Sequence, residues 1–258
     1  MPEVLALIPA RSGSKSIKDK NIQLFRGSPL LAHSILQAAE ADTVTRVIVS
    51  TDSAQYAELA RSLGADVPFL RPPEIAGDLS TDLETFQHAL RWLDENEDYR
   101  PEICVHLRPT YPTRNVADIN AAVDLLLTRE DVDSVRSVAI TPLTPFKMWW
   151  MKEDGSLRPV LEHGLREPYN LPRQSLPVVY IQNAAVDVVR SEIIRGGSMT
   201  GARILGYEMS SFHDIDDWSD FEHAQNEFLS HGQLPCDKTF VFDVDGVVAK
   251  PVPDNNYE

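Results

Sequence analysis

Cysteine is almost absent from this chain. Cys104 and Cys236 are the only two in 258 residues, too few for a disulfide framework. No apolar run approaches the roughly 18 residues that a spanning helix needs, so no membrane partner is expected. The start of the chain lacks the basic segment and longer apolar core of a secretory signal, because Glu3 and Arg11 bracket only a strand-length run. A reduced, cytoplasmic setting is the expectation. Cations are scarce, 24 lysines and arginines against 39 acids for a net charge of −15. That balance disfavours a polyanion and leaves nucleic acid out as a partner. Glycine is scarce where phosphate loops would need it. The first loop carries a single one, Gly13. It therefore meets neither the spaced glycines of a dinucleotide-binding turn nor the Gly-x-x-x-x-Gly-Lys of a Walker A loop.

What is present is a strand–helix alternation. Apolar residues form 43% of the chain, enough for one α/β domain of ordinary to large size. Strands are predicted at Val4–Ile8, Arg46–Ser50, Val67–Leu70, Ile103–Leu107, Ser134–Val138, Val179–Ile181, Val186–Val189 and Arg203–Tyr207. Helical spacing joins Leu31, Ile35 and Ala38, then Ala57, Ala60 and Leu63. It recurs in Leu83, Phe86, Leu90 and Leu93, where Thr81-x-x-Glu84 reads as a capping box, and in Val116, Ile119, Val123 and Leu126. This order predicts a mostly parallel sheet with helices on both faces. Ligands of such sheets sit at the carboxyl ends of the strands.

The positive charge that the chain does have is concentrated at one such end. Residues 11 to 26 hold Arg11, Lys15, Lys18, Lys20 and Arg26 against one acid, Asp19. A small-residue loop with cations just past a strand suits phosphate, through backbone N–H groups and ammonium or guanidinium donors. A second segment, Phe212 to Phe221, is its acidic counterpart. Asp214 and Asp216 are two residues apart, so an extended backbone turns both side chains to one side. Paired carboxylates there suit Mg²⁺, which also takes phosphate oxygens; the same acids could instead cap the helix announced by Trp218, Phe221 and Phe228. Residues 141–182 are rich in proline and aromatics and read as an excursion from the sheet. In it, Trp149 and Trp150 suit either an interface or the core.

Ala10-Arg11-Ser12-Gly13-Ser14-Lys15-Ser16-Ile17-Lys18-Asp19-Lys20-Asn21 resembles the A-R-G-G-S-K-G-I-x-x-K-N loop of the CMP-sialic acid synthetase family, with serine at two glycine positions, Ser12 and Ser16. Further segments follow the same family in order. They are Ser50-Thr51-Asp52, the cytosine-recognising pattern from Arg71 through Asp78, Ser80 and Thr81, Leu107 to Arg114, Arg173-Gln174-Ser175-Leu176-Pro177, Asn183-Ala184-Ala185, and the Asp214-Ile215-Asp216 metal motif. Thr81 suits a helix cap as well as a base contact. The resemblance implies a three-layer Rossmann-like nucleotidyltransferase fold over residues 1–231, with 141–182 serving the dimer or acceptor side of a homodimer. It implies transfer of CMP from CTP to an anionic sugar acid, with Mg²⁺ as cofactor and release of pyrophosphate.

On that resemblance, nucleotide binding falls to Ala10, Arg11, Ser12, Gly13, Ser14, Lys15, Lys20, Asn21, Arg71, Asp78, Ser80 and Thr81. Catalysis falls to Arg11, Lys15, Lys20 and Asp216, with Asp214 and Asp216 on the metal. Acceptor binding falls to Arg108, Arg173, Gln174, Asn183 and Asp187. Arg108 replaces a family glutamine and Asp187 a family tyrosine, so the acceptor is expected to be a relative of sialic acid or another anion. No general base is evident; His88, His106 and His213 are more simply structural. A different acceptor, Kdo or a phosphonate, is one alternative. A non-catalytic nucleotide-binding domain fused to a phosphatase is another, because Thr239 to Val248 resembles the opening of a haloacid-dehalogenase-type phosphatase. Residues 232–238 read as a linker to that segment, and Asp243 and Asp245 are expected to be inactive in so short a stretch.

Overall fold

The computed structural model describes residues 2–141, 143–161, 163–210 and 214–230. The expected linker at 232–238 and the phosphatase-like segment with Asp243 and Asp245 lie outside the described residues, as does His213.

The chain opens with strand β1 (Val4–Pro9), a small hairpin of β2 (Leu24–Phe25) and β3 (Ser28–Pro29), and helix α1 (Leu30–Glu40). Strand β4 (Arg46–Ser50), α2 (Ala54–Ser62), α3 (Asp82–Glu97), β5 (Ile103–His106) and α4 (Val116–Leu127) follow. Then come β6 (Ser134–Ile140), a hairpin of β7 (Trp149–Met151) and β8 (Leu157–Pro159), and β9 (Tyr180–Arg190). The short α5 (Ser191–Arg195), β10 (Ile204–Glu208) and α6 (Trp218–Ser230) complete the order.

Six strands form one sheet in the order β10-β6-β9-β5-β1-β4. Strand β1 shows why helices cover both faces. Its alternate residues diverge, Val4, Ala6 and Ile8 joining α1, α2 and α4 in one cluster, and Leu5 and Leu7 joining α3 and Ile194 of α5 in the other. A strand buried on both faces reads as continuous apolar sequence, which Val4–Ile8 does. The sheet is mostly parallel, with β9 running antiparallel to both β5 and β6.

Two expected strands, Val179–Ile181 and Val186–Val189, are in fact one. Strand β9 is bulged: Arg136 pairs with Asp187 while Val138 pairs with Gln182. The Ser137 hydroxyl fills the gap by accepting from the Val186 N–H at 2.9 Å. The strand expected at Val67–Leu70 does not form; only Asp66 makes an isolated bridge, to Ile48. Pro68 has no N–H for a ladder, so Val67 and Phe69 are buried from an extended loop instead. The excursion begins after Ile140, which pairs with Tyr180, so it is the long loop of an antiparallel pair. Trp149 and Trp150 are 39% and 64% exposed, so the core reading of these two residues is corrected.

Candidate active site

The basic loop leaves β1 at the carboxyl end of the sheet and is held from three sides. The Ser12 N–H and hydroxyl both donate to the Asp52 carboxylate at 2.8 Å, which gives the Ser-Thr-Asp segment after β4 its task. Asn21 is buried and donates from Nδ2 to the Arg11 carbonyl at 2.9 Å. Asp19 takes a left-handed conformation, φ 52°, and accepts from the Tyr56 hydroxyl at 3.1 Å. Neither Ser12 nor Ser16 has a positive φ, so serine at these two glycine positions costs no backbone strain here.

An apolar pin docks the acidic segment under this loop. Ile17 of the loop and Ile215, between the two acids, are both fully buried in one cluster with Phe25, Leu30, Phe221 and Ala224. Lys20 Nζ then donates to the Ile215 carbonyl at 2.8 Å and lies 3.9 Å from Asp216 Oδ1. The Ser16 hydroxyl donates to the Asp216 carbonyl at 2.6 Å. The capping and metal readings of the acids divide by residue. Asp217 Oδ1 accepts from the N–H groups of Ser219 and Asp220, and Asp220 accepts in return from Asp216 and Asp217. Asp217 is therefore the cap of α6, and the side chains of Asp214 and Asp216 stay out of it. Asp214 Oδ1 is buried without a hydrogen-bond partner. Burial first, and Asp216 nearby, hold the Asp214 carboxyl above the usual range.

Between the basic loop and the start of α3 lies a cleft of about 530 Å³, lined by Arg11, Ser14, Lys15, Lys20 and Asn21 on one side and Arg71, Asp78, Ser80 and Thr81 on another. Arg11 and Lys15 both pair with Asp78, Arg11 at 2.8 Å. Those two cations, Lys15 first, hold the Asp78 carboxyl below its ordinary range. Arg71 is 5% exposed and bonds Ser50 through both its side-chain hydroxyl and its carbonyl; burial pulls its guanidinium down to about 10. Thr81 does form the capping box, accepting from the Glu84 N–H at 3.2 Å while Glu84 accepts from the Thr81 N–H at 2.7 Å.

The acceptor-side residues separate. Arg108 lines the cleft. Asn183 and Asp187 are buried in the bulged stretch of β9, and Asp187 meets Arg108 at 2.8 Å. Arg173 and Gln174 are exposed on the excursion, where Arg173 Nη2 donates to the Thr141 carbonyl at 3.4 Å. The cleft also takes Asp82 and Thr85, which no motif in the sequence singles out, and Thr110 of the Leu107 to Arg114 segment. Helical spacing from the Thr81 cap was the one signal for the first two. His106 lies beneath, 1% exposed, with both ring nitrogens unpartnered. Burial and then Arg108 push its pKa well below the ordinary value, so the ring is neutral.

Comparison with known proteins gives the family and the fold. A family model described as Cytidylyltransferase matches residues 5–143, more than half of the chain. The N-acylneuraminate cytidylyltransferase of Escherichia coli O18:K1:H7 is 34% identical over 230 residues, covering 86% of this chain and 51% of that protein. The CMP-N,N'-diacetyllegionaminic acid synthase of Legionella pneumophila is 36% identical over 140 residues, covering 54% of this chain and 60% of that protein. The chain spans about half the length of the curated relatives it matches. The solved structure of CMP:2-keto-3-deoxy-manno-octonic acid synthetase complexed with CTP is similar in fold, with TM-score 0.66 and 14% identity, covering 89% of this chain and 99% of that one. The chain belongs to the cytidylyltransferase family.

Proposed function

We propose that this protein transfers CMP from CTP to an anionic sugar acid, releasing pyrophosphate. The observation that carries the reading is the meeting of the basic loop and the acidic segment through Lys20 and the Ile17–Ile215 pin. Cations for a triphosphate line one cleft at the carboxyl ends of parallel strands, and Ser16 and Lys20 of that lining hold the backbone of the acidic segment.

The acceptor hydroxyl attacks the α-phosphorus in line, and the bond to pyrophosphate breaks. The protein's share is positioning and neutralising charge. Lys15 serves the α-phosphate, and Arg11 with Lys20 the outer phosphates. Arg71 and Asn21, both buried and bonded to backbone, give the base and ribose a rigid floor. Asp214 and Asp216 fit Mg²⁺: one carboxylate oxygen is buried and unpartnered, and two carboxylates with phosphate oxygens and water make a hard, all-oxygen set. Bound there, Mg²⁺ would offset charge on the phosphate oxygens. The reading includes a homodimer formed through the exposed excursion and a cytoplasmic setting.

The test is pyrophosphate release from CTP and Mg²⁺ with a panel of sugar acids: N-acetylneuraminate, Kdn, legionaminate, pseudaminate and Kdo. Release with one member is expected. CTP binding without release across the panel would overturn the acceptor class and leave the nucleotide half standing.

A further inference from the structure

A row of polar side chains crosses the middle of the sheet where apolar ones would be expected. Asp187 of β9 is opposite His106 of β5 on one side and Arg136 of β6 on the other. Asp187 is 3% exposed, and a buried carboxylate is costly unless paired and hydrogen-bonded. Its Oδ2 accepts from Arg108 Nη1 at 2.8 Å and from Gln182 Nε2 at 3.3 Å, and lies 3.9 Å from Arg136 Nη1. The other arm of Arg108, Nη2, reaches Asp82 Oδ2 at 3.3 Å.

Arg108 is thus clamped between carboxylates from β9 and α3. Its backbone is fixed as well. The buried Arg114 donates to the Arg108 carbonyl and to the Ala185 carbonyl, each at 2.7 Å, tying the cleft loop to the bulge. Among the described residues the clamp occupies three of the five N–H groups of the guanidinium, counting a long contact to the Ala184 carbonyl at 3.5 Å. Arg108 and Asp187 are also two positions at which the chain leaves the family pattern on the acceptor side, and here they are partners.

We propose that Arg108 is the specificity-determining residue at the acceptor end, and that Asp187, buried behind it, is its positioning residue and makes no acceptor contact. The proposal rests on the cytidylyl-transfer reading above. The charges around the site set the acceptor class. Arg108 and Arg136 face Asp82 and Asp187, and the buried Arg114 behind Arg108 leaves the cluster with a cation to spare. It suits N–H donation to a carbonyl, a hydroxyl or one carboxylate oxygen of a sugar acid.

The experiment uses the full chain, with CTP affinity by calorimetry and pyrophosphate release across the sugar-acid panel and a phosphonate. The variants are Asp187→Asn and the double variant Arg108→Gln/Asp187→Asn, which removes both charges of the pair. For Asp187→Asn, CTP affinity should stay within about twofold of wild type while the acceptor KM rises about tenfold or more, with a smaller change in kcat. The double variant should reorder the acceptors by kcat/KM. A purely structural role would lower thermal stability and leave that order intact. Wild-type turnover with the same KM and ranking in both variants would overturn this inference alone. Absence of any wild-type turnover, with CTP bound, would overturn the functional reading and this inference with it.

Discussion

At the scale of single residues, the cleft is already occupied by an anion of its own. Asp78 holds the two cations proposed for the triphosphate, so CTP must displace a carboxylate to reach them. The pair is exposed and screened by solvent, so the contact is weak. Asp78→Asn should therefore tighten CTP binding by about two- to fivefold, measured by calorimetry at fixed salt. The sign with pH follows from its lowered pKa: the pairing is present above the ordinary aspartate pKa and is lost as pH falls through the lowered one. Weaker binding in Asp78→Asn would mean instead that the carboxylate aligns Arg11 and Lys15 for the nucleotide. Ala184 is the converse case to Ser12 and Ser16. It sits at φ 60°, where the family pattern has glycine, so this substitution does carry the left-handed penalty of an L residue.

At the scale of elements, the start of α6 decides how the acidic segment is presented. The reciprocal bonds of Asp217 and Asp220 end the extended stretch immediately after Asp216. Asp217→Ala removes the cap, at a cost of about 1 kcal/mol. Amides in the first turn of α6 should exchange faster, and the Mg²⁺ concentration for half-maximal activity should rise severalfold. Unchanged metal dependence with a frayed helix would separate the cap from the site. Much at this scale was legible in the sequence. The four amphipathic helices, the capping box at Thr81 and the β1 run follow from local spacing and residue type. What was not legible depends on distant partners. Nothing local says that Val179 to Val189 is one bulged strand, or that Asp187 turns to Arg108 while Arg173 stays on the surface; at Val67–Leu70, by contrast, Pro68 was a local sign against a strand. The basic loop and the acid pair were visible as separate charge clusters. Their union needed Ile17 and Ile215, which read in sequence as ordinary apolar residues.

At the scale of the whole molecule, the excursion leaves an apolar face exposed among the described residues. Met151, Leu157 and Val178 are 76%, 56% and 65% exposed, and Trp150 lies among them in sequence at 64%. The β7–β8 hairpin has too few residues to bury these side chains by itself. Trp149 does find a neighbour, stacking on Tyr169 with ring centroids 4.4 Å apart, which stiffens the excursion while its apolar surface stays outward. Apolar surface on this scale marks an association site. An interface of ordinary size buries about 800 Å² per partner around aromatic anchors, and a second copy meeting this face would bury two tryptophans from each chain. Trp150→Glu places a charge in that contact. Sedimentation should show the wild type as a dimer at micromolar concentration and the variant as a monomer. Because Arg173 and Gln174 lie on the same excursion, outside the cleft of their own chain, the variant should also lose acceptor turnover by about tenfold or more while CTP binding is kept. A monomeric wild type with full activity would remove both the dimer and the role of the excursion in the site.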